Sequence, residues 1–354
     1  MARSYFRPNV EAMSAYQPGE QPWAGARVTK LNTNENPYPP SPKALEALAA
    51  AGRALRLYPD PTSRELRQAA GRAFGFEPDW VIAGNGSDEL LSLLVRAIVP
   101  EGGAVAYPVP TYSLYRTLAR MQAAEAVEFP WADGWAIPEG LAGAGARLVF
   151  LARPNSPTGT VAPVGSVRDL AGRLGGAVLC IDEAYADFAD DDCLGLVREF
   201  PNVIALRTLS KSFSLAGARV GLGFARPELI AGLGKIKDSY NLSRPAQAAG
   251  AAALGDMDWM RANANKVRAT RARLVARLAG LGVACPPSQA NFVFARVGSP
   301  RARELYLALK ARGILVRHFD EDGLRDGLRI SVGTDAEVDE LLSGIEDELA
   351  STKG

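Results

Sequence analysis

The chain has 354 residues, 47% of them apolar and 22% charged, which excludes a disordered chain. Its 40 basic side chains balance 39 acidic ones, so no overall field favours nucleic acid or an anionic membrane. A single histidine, His318, excludes any site that needs two, and the scattered Cys180, Cys193 and Cys285 suggest neither a disulfide framework nor a thiolate metal cage. No apolar run reaches ~18 residues and Met1 to Val10 lacks the apolar stretch of a signal peptide, so a reducing cytoplasm is the default compartment. Length divided by ~150 gives a prior of two domains.

Residues 1–42 are rich in Pro, Asn and Gly and carry little periodicity. They read as an arm laid over something else, such as a partner subunit, or as a loose tail. Burying Tyr5, Phe6, Tyr16 and Trp23 favours the arm. From Ser41 onward, helix and strand signals alternate. Lys43–Ala51 is helical in pattern, and Thr62-Ser63-Arg64-Glu65 reads as a capping box opening a helix to Phe74. Trp80–Ala83, Ala104–Tyr107, Ala126–Phe129, Leu148–Ala152, Ala177–Ile181, Val203–Thr208 and Val220–Ala225 are strand candidates. Several are continuous apolar runs, as expected of strands buried on both faces. The expected domain at 43–245 is therefore α/β with a mostly parallel sheet. After about Ala246 a long Arg-rich helix, Met257–Leu281, leads into strands Phe292–Ala295, Ile314–Val316 and Leu328–Val332. Helices are expected at 301–311 and 335–350, the second opened by the capping box Thr334-Asp335-Ala336-Glu337. Residues 246–354 thus read as a smaller α+β domain.

Six local features carry chemistry. Gly84-Asn85-Gly86-Ser87-Asp88-Glu89 joins a strand to a helix, where exposed N–H groups suit a phosphate. Glu89 stands where a dinucleotide fingerprint would place its third glycine, which disfavours that ligand. A plain βα turn capped by Ser87 is the other reading. Tyr112, after a buried strand, is either a stacking platform for a flat ring or a packed loop aromatic. The turn Arg153-Pro154-Asn155-Ser156-Pro157-Thr158-Gly159 lies past a strand's C-terminal end, where ligands bind in open α/β sheets. Asp182, ending a hydrophobic strand before Glu183 and Tyr185, either faces a cation or caps a helix. Lys211, flanked by Ser210 and Ser212 directly after a buried strand, is an odd place for a solvated charge. A lysine of that kind forms Schiff bases when its pKa is depressed, and Ser210, Ser212 and Arg219 could hold a phosphate beside it. Arg329, inside an apolar strand, either meets a planar anion or closes an internal salt bridge.

The order and spacing of these features resemble the fold-type-I enzymes that use pyridoxal 5′-phosphate (PLP), and most closely the histidinol-phosphate aminotransferase family. The resemblance covers nearly the whole chain. Its specific matches are Leu31-Asn32-Thr33-Asn34-Glu35-Asn36-Pro37-Tyr38-Pro39, Tyr58-Pro59-Asp60, Asp182-Glu183-Ala184-Tyr185, Leu209-Ser210-Lys211 with Arg219, and Leu328-Arg329-Ile330-Ser331-Val332-Gly333-Thr334. The resemblance implies that Lys211 holds PLP covalently, that Asp182 pairs with its pyridine nitrogen, and that Tyr112 stacks on its ring. It implies that Tyr185 hydrogen-bonds the phenolic oxygen, that Ser87, Asp88, Ser210 and Arg219 surround the phosphate, and that Tyr58 reaches the phosphate in a neighbouring subunit of a homodimer. Arg329 and Arg317 are the implied substrate-anion arginines, and Tyr16 closes over the distal end. The asparagine expected before the second proline of the turn is Ser156 here, so either Asn155 or Ser156 takes the contact to the phenolic oxygen. His318 and Phe319 follow Arg317 where relatives often carry an acid.

The implied activity is amino transfer between L-histidinol phosphate and 2-oxoglutarate in histidine biosynthesis, with Lys211 as the proton carrier. The alternatives are an aromatic amino-acid aminotransferase and, in another reaction class, a threonine-phosphate decarboxylase. A PLP-binding transcriptional regulator would need a DNA-binding module, for which the Pro-rich residues before the α/β pattern are too few.

Overall fold

The computed structural model describes residues 5–14, 19–22, 25 and 27–351. Tyr16 and Trp23 lie outside these. The strands are β1 (Thr29–Lys30), β2 (Val81–Asn85), β3 (Ala104–Val109), β4 (Glu125–Pro130), β5 (Leu148–Ala152), β6 (Val178–Asp182), β7 (Val203–Thr208), β8 (Val220–Ala225), β9 (Phe292–Arg296), β10 (Ile314–Leu315), β11 (Arg317–His318) and β12 (Gly327–Ser331).

Seven of them form one sheet in the order β2-β8-β7-β6-β5-β3-β4. The pairs among β3, β4, β5, β6 and β7 are parallel, while β8 runs antiparallel to both β7 and β2. Side chains alternate across the sheet with the strand period of two. Val149, Leu151, Leu179, Ile181, Val203 and Ala205 enter one core. Leu148, Phe150, Cys180, Ile204 and Leu206 enter the other. Both faces are covered, which is why these strands read as unbroken apolar runs.

A third core lies around β9, β12 and the helix Asp335–Ser351. The sheet there runs β11-β12-β9 and is antiparallel. The helix Met257–Gly280 joins the two regions. Met260, Ala264 and Val267 on its first half pack in the large-sheet core, and Leu274 and Leu278 on its second half pack in the third. The N-terminal segment is stitched to the C-terminal region by the parallel pairing of β1 with β10 and by Ser331 N–H donating to Leu31 O at 2.9 Å.

The element ends differ from expectation in two instructive places. Trp80 belongs to a 3₁₀ turn, Pro78–Trp80, and β2 starts one residue later. The expected capping box at Thr62 does not form. Ser63 occupies the cap position with a left-handed φ of 48° and makes no side-chain cap bond. Asp60 takes over: its carboxylate accepts from Thr62 N at 2.8 Å, Thr62 Oγ1 at 2.7 Å and Arg64 N at 3.0 Å. A carboxylate reaching back from before the cap is favoured by the positive end of the helix. At Thr334 the reciprocal box does form, with Glu337 N donating to Thr334 Oγ1 at 3.3 Å and Thr334 N donating to Glu337 Oε2 at 2.7 Å. No helix among the described residues is long and apolar enough to cross a membrane.

Because Asp60 replaces the capping box, Asp60→Ala should cost about 1 kcal/mol of stability while Thr62→Val costs less. Chemical denaturation of the two variants measures both.

Candidate active site

The sheet topology gathers the chemistry at one edge. β2, β3, β5, β6 and β7 all point their C-terminal ends the same way, and the antiparallel β8 brings its N-terminal end to the same side. The six motifs of the sequence therefore converge, five from this edge and Arg329 from β12. They border a cavity of about 730 Å³.

Ser87 opens the helix Ser87–Ile98, and Gly86 before it has φ 79°. L side chains rarely adopt that φ, which is what favours glycine there, and the Arg219 guanidinium lies where a Cβ would be. Arg219 itself sits in the left-handed region at φ 54°. That costs a non-glycine residue about 1 kcal/mol, and it aims the guanidinium at the helix N-terminus. Arg219 donates to Asp88 Oδ2 at 3.1 Å and to Ser210 Oγ at 3.3 Å. Glu89, the residue that breaks the dinucleotide fingerprint, accepts from Asn85 N and from Asn241 Nδ2, and so closes the βα turn.

Asp182 ends β6 and is 5% exposed, yet it lines the cavity. Burial pushes its carboxyl up to about 6, and the bonds from Tyr115 Oη (2.8 Å) and Ala184 N (3.2 Å) oppose that rise. Lys211 projects its amine into the same cavity, donates to Thr33 O at 3.1 Å and lies 5.7 Å from the Tyr185 ring centroid. The Tyr185 hydroxyl accepts from Asn34 Nδ2 at 3.0 Å. Tyr112 lines the cavity and donates to Asp88 Oδ1 at 3.2 Å.

Arg317 and Arg329 are direct cross-strand neighbours in the β11–β12 pair. Both guanidiniums lie over the Phe319 ring, each 5.4 Å from its centroid, and Arg329 also lies over Phe292 at 5.6 Å. Arg329 donates to Asn32 O at 2.9 Å and Ser156 Oγ at 3.4 Å. His318 lines the cavity and stacks on Tyr306 with centroids 6.1 Å apart.

Asn155 and Tyr58 do not border the cavity. Asn155 is 1% exposed and does not border the cavity. Its amide donates to Pro110 O and Thr158 Oγ1 and its oxygen accepts from Thr111, so it braces the turn, and Ser156 is the residue that faces the cavity. Tyr58 is 76% exposed, outside the cavity, and stacks on Tyr240 at 4.6 Å. Tyr16 lies outside the described residues.

Sequence reasoning missed Tyr115 and the bracing of Asn34. Asn34 has φ 57° and is held by Ser331, whose hydroxyl accepts from its N–H at 2.8 Å, and by Asn291, which donates to its carbonyl at 3.0 Å. No local pattern signals a contact across 297 residues. Tyr115 had a signal: it follows Tyr112 by three residues at a helix start.

A family model of aminotransferase class I and II matches residues 26–345. The chain therefore belongs to the aminotransferase class I and II family. It is 48% identical over 350 residues to histidinol-phosphate aminotransferase 1 of Nostoc sp., covering 98% of this chain and 99% of that one. It is 49% identical to the histidinol-phosphate aminotransferase of Syntrophotalea carbinolica, covering 96% and 98%. The crystal structure of histidinol-phosphate aminotransferase from Sinorhizobium meliloti, in complex with pyridoxal 5′-phosphate, aligns with a TM-score of 0.91 at 32% identity and covers 99% of both chains.

A carboxyl with a raised native pKa binds its proton more tightly when folded, so ionising it costs stability. For Asp182 in the ligand-free protein that cost is about 3 kcal/mol above pH 6 and vanishes as pH falls toward 4. Asp182→Asn should therefore be more stable than the parent at pH 8 and match it near pH 4, as read by denaturation at the two pH values.

Proposed function

We propose that this protein is a PLP-dependent transaminase that moves an amino group between L-histidinol phosphate and 2-oxoglutarate, giving imidazole-acetol phosphate and L-glutamate. The observation that carries the reading is the convergence of Lys211, the buried Asp182 and the Arg317–Arg329 pair on one cavity.

The residues present fit PLP. The helix N-terminus, Ser87, Ser210 and Arg219 offer donors for a phosphate. Asp182 offers a desolvated carboxylate for a pyridine N–H, Tyr112 a ring for stacking, and Tyr185 and Ser156 donors for a phenolic oxygen. Lys211 would hold the group through its amine. When bound, PLP supplies an electron sink for charge that develops at the substrate α-carbon.

The remaining chemistry belongs to the chain. With the group bound, Lys211 Nζ would take the substrate α-proton and return it, acting as one general acid–base. Asp182 keeps the pyridine nitrogen protonated. Arg317 and Arg329 answer a phosphate dianion in one half-reaction and the carboxylates of the oxo acid in the other, so one pocket serves both substrates in turn and kinetics are ping-pong.

The reading extends to a homodimer with shared sites. Tyr5 (99% exposed), Leu55 (64%) and Tyr58 (76%) leave large apolar groups on the surface, and Tyr58 would reach the phosphate in the second subunit. Histidine biosynthesis in the cytoplasm is the setting this activity fits.

Lys211→Ala should lower turnover by at least ~10³-fold. The visible band of the PLP-loaded protein should bleach at low histidinol phosphate and return with 2-oxoglutarate, with phenylalanine needing far more. Bleaching by phenylalanine at equal concentration would reassign the protein to aromatic substrates. Release of CO₂ would make it a decarboxylase, and the lack of any band after adding PLP would overturn the reading. Tyr58→Ala should weaken PLP binding about tenfold, and mixing it with Lys211→Ala should restore tight sites in hybrid dimers.

A further inference from the structure

Tyr115 is fully buried and belongs to no motif above, yet it touches two of the groups that face the cavity. Its hydroxyl donates to Asp182 Oδ2 at 2.8 Å. Its ring stacks on Phe150 of β5, with centroids 4.5 Å apart at 18°, and meets Tyr112 edge-on at 5.8 Å. Its N–H donates to Tyr112 O at 3.2 Å, which fixes the start of the helix Leu114–Met121. The ring is thus held on its face by Phe150 and at its edge by Tyr112, and the hydroxyl points at Asp182.

We infer that Tyr115 is a positioning residue that orients the Asp182 carboxylate and keeps it ionised toward the pyridine nitrogen of the cofactor. The inference rests on the proposed PLP chemistry. With Tyr115 on Oδ2 and Ala184 N on Oδ1, both oxygens are fixed and the carboxylate cannot rotate away from the cavity. A donor to the charged form favours that form. Lys211, Tyr112, Tyr185 and Arg219 share the cavity with Asp182, Asp88 disfavours its charge, and Cys180 lies two residues back on β6; Tyr115 is the side chain whose hydrogen bond opposes burial there. Burial holds the tyrosine's own pKa well above the usual phenol range, so it stays a donor at any working pH.

Tyr115→Phe keeps the ring packing and removes only the donor. In PLP-free protein, carboxyl-carbon NMR with Asp182→Asn for assignment should place Asp182 about one pKa unit higher than in the parent. In PLP-loaded protein the affinity for PLP should fall about tenfold. A less protonated ring carries less positive charge, so the pH midpoint of the visible band should rise as well. Tyr107→Phe is the control: Tyr107 is also buried and lies 5.8 Å from Tyr115, but it donates to Glu128 at 2.8 Å. It should lose stability and leave the Asp182 titration and the band midpoint in place. If Tyr115→Phe also leaves both in place, Tyr115 is structural only and the inference is overturned. A parent protein that shows no band with PLP would defeat the proposed function, and the NMR titration would still decide the role of Tyr115.

Discussion

The carboxylate of Asp182 is held where water barely reaches, and much of the large sheet is arranged around that fact. A buried charge is costly unless donors surround it. Here the donors come from the next turn of its own chain and from a tyrosine on the helix after β3. The apolar strands on either side make the environment dry, and the dryness is what makes a pairing at this carboxylate strong. The same feature lowers stability in the absence of a partner, as is usual for a preorganised site.

A second ionic cluster stands behind the first. Arg207 on β7 is 4% exposed and meets three carboxylates, Glu183 at 3.1 Å, Asp187 at 2.7 Å and Asp192 at 2.8 Å. Asp187 also accepts from Ser212, the neighbour of Lys211, while Asn36 donates to the carbonyls of Lys211 and Ser212 at 3.1 Å. The segment bearing the amine is therefore clamped on both sides of its backbone. Burial pushes Glu183 up to about 7 although Arg207 pulls it down. Arg207 is the counter-charge for the fully buried Glu183, while Asp192 on its other side is half-exposed.

How much of this was legible follows from where each signal resides. Strands β5, β7 and β8 were read to the residue because burial on both faces writes itself as a continuous apolar run. Lys211 and Asp182 were legible because a charge that ends such a run sits at the rim of a dry sheet, where it must meet a partner. The capping residue Asp60 was missed because Thr62 and Glu65 satisfied a local pattern, and only the left-handed Ser63 reveals that the chain enters the helix from further back. Which of Asn155 and Ser156 faces the cavity was hidden for a related reason. The turn places two polar residues side by side, and only the fold tells which one is consumed by Thr111, Pro110 and Thr158. The pairing of Arg317 with Arg329 depends on strand register, which no single strand encodes.

The bracing of Asn34 by Ser331 and Asn291 has a temporal meaning. One wall of the cavity is made early in synthesis and cannot be set until nearly the whole chain has emerged, because its clasp closes a span of 297 residues. Loop-closure entropy grows only slowly with such a length, so the clasp is thermodynamically tolerable but kinetically late. Completion of the pocket is thereby coupled to completion of the polypeptide, because the asparagine that donates to Tyr185 is clasped only by residues near the far end of the chain.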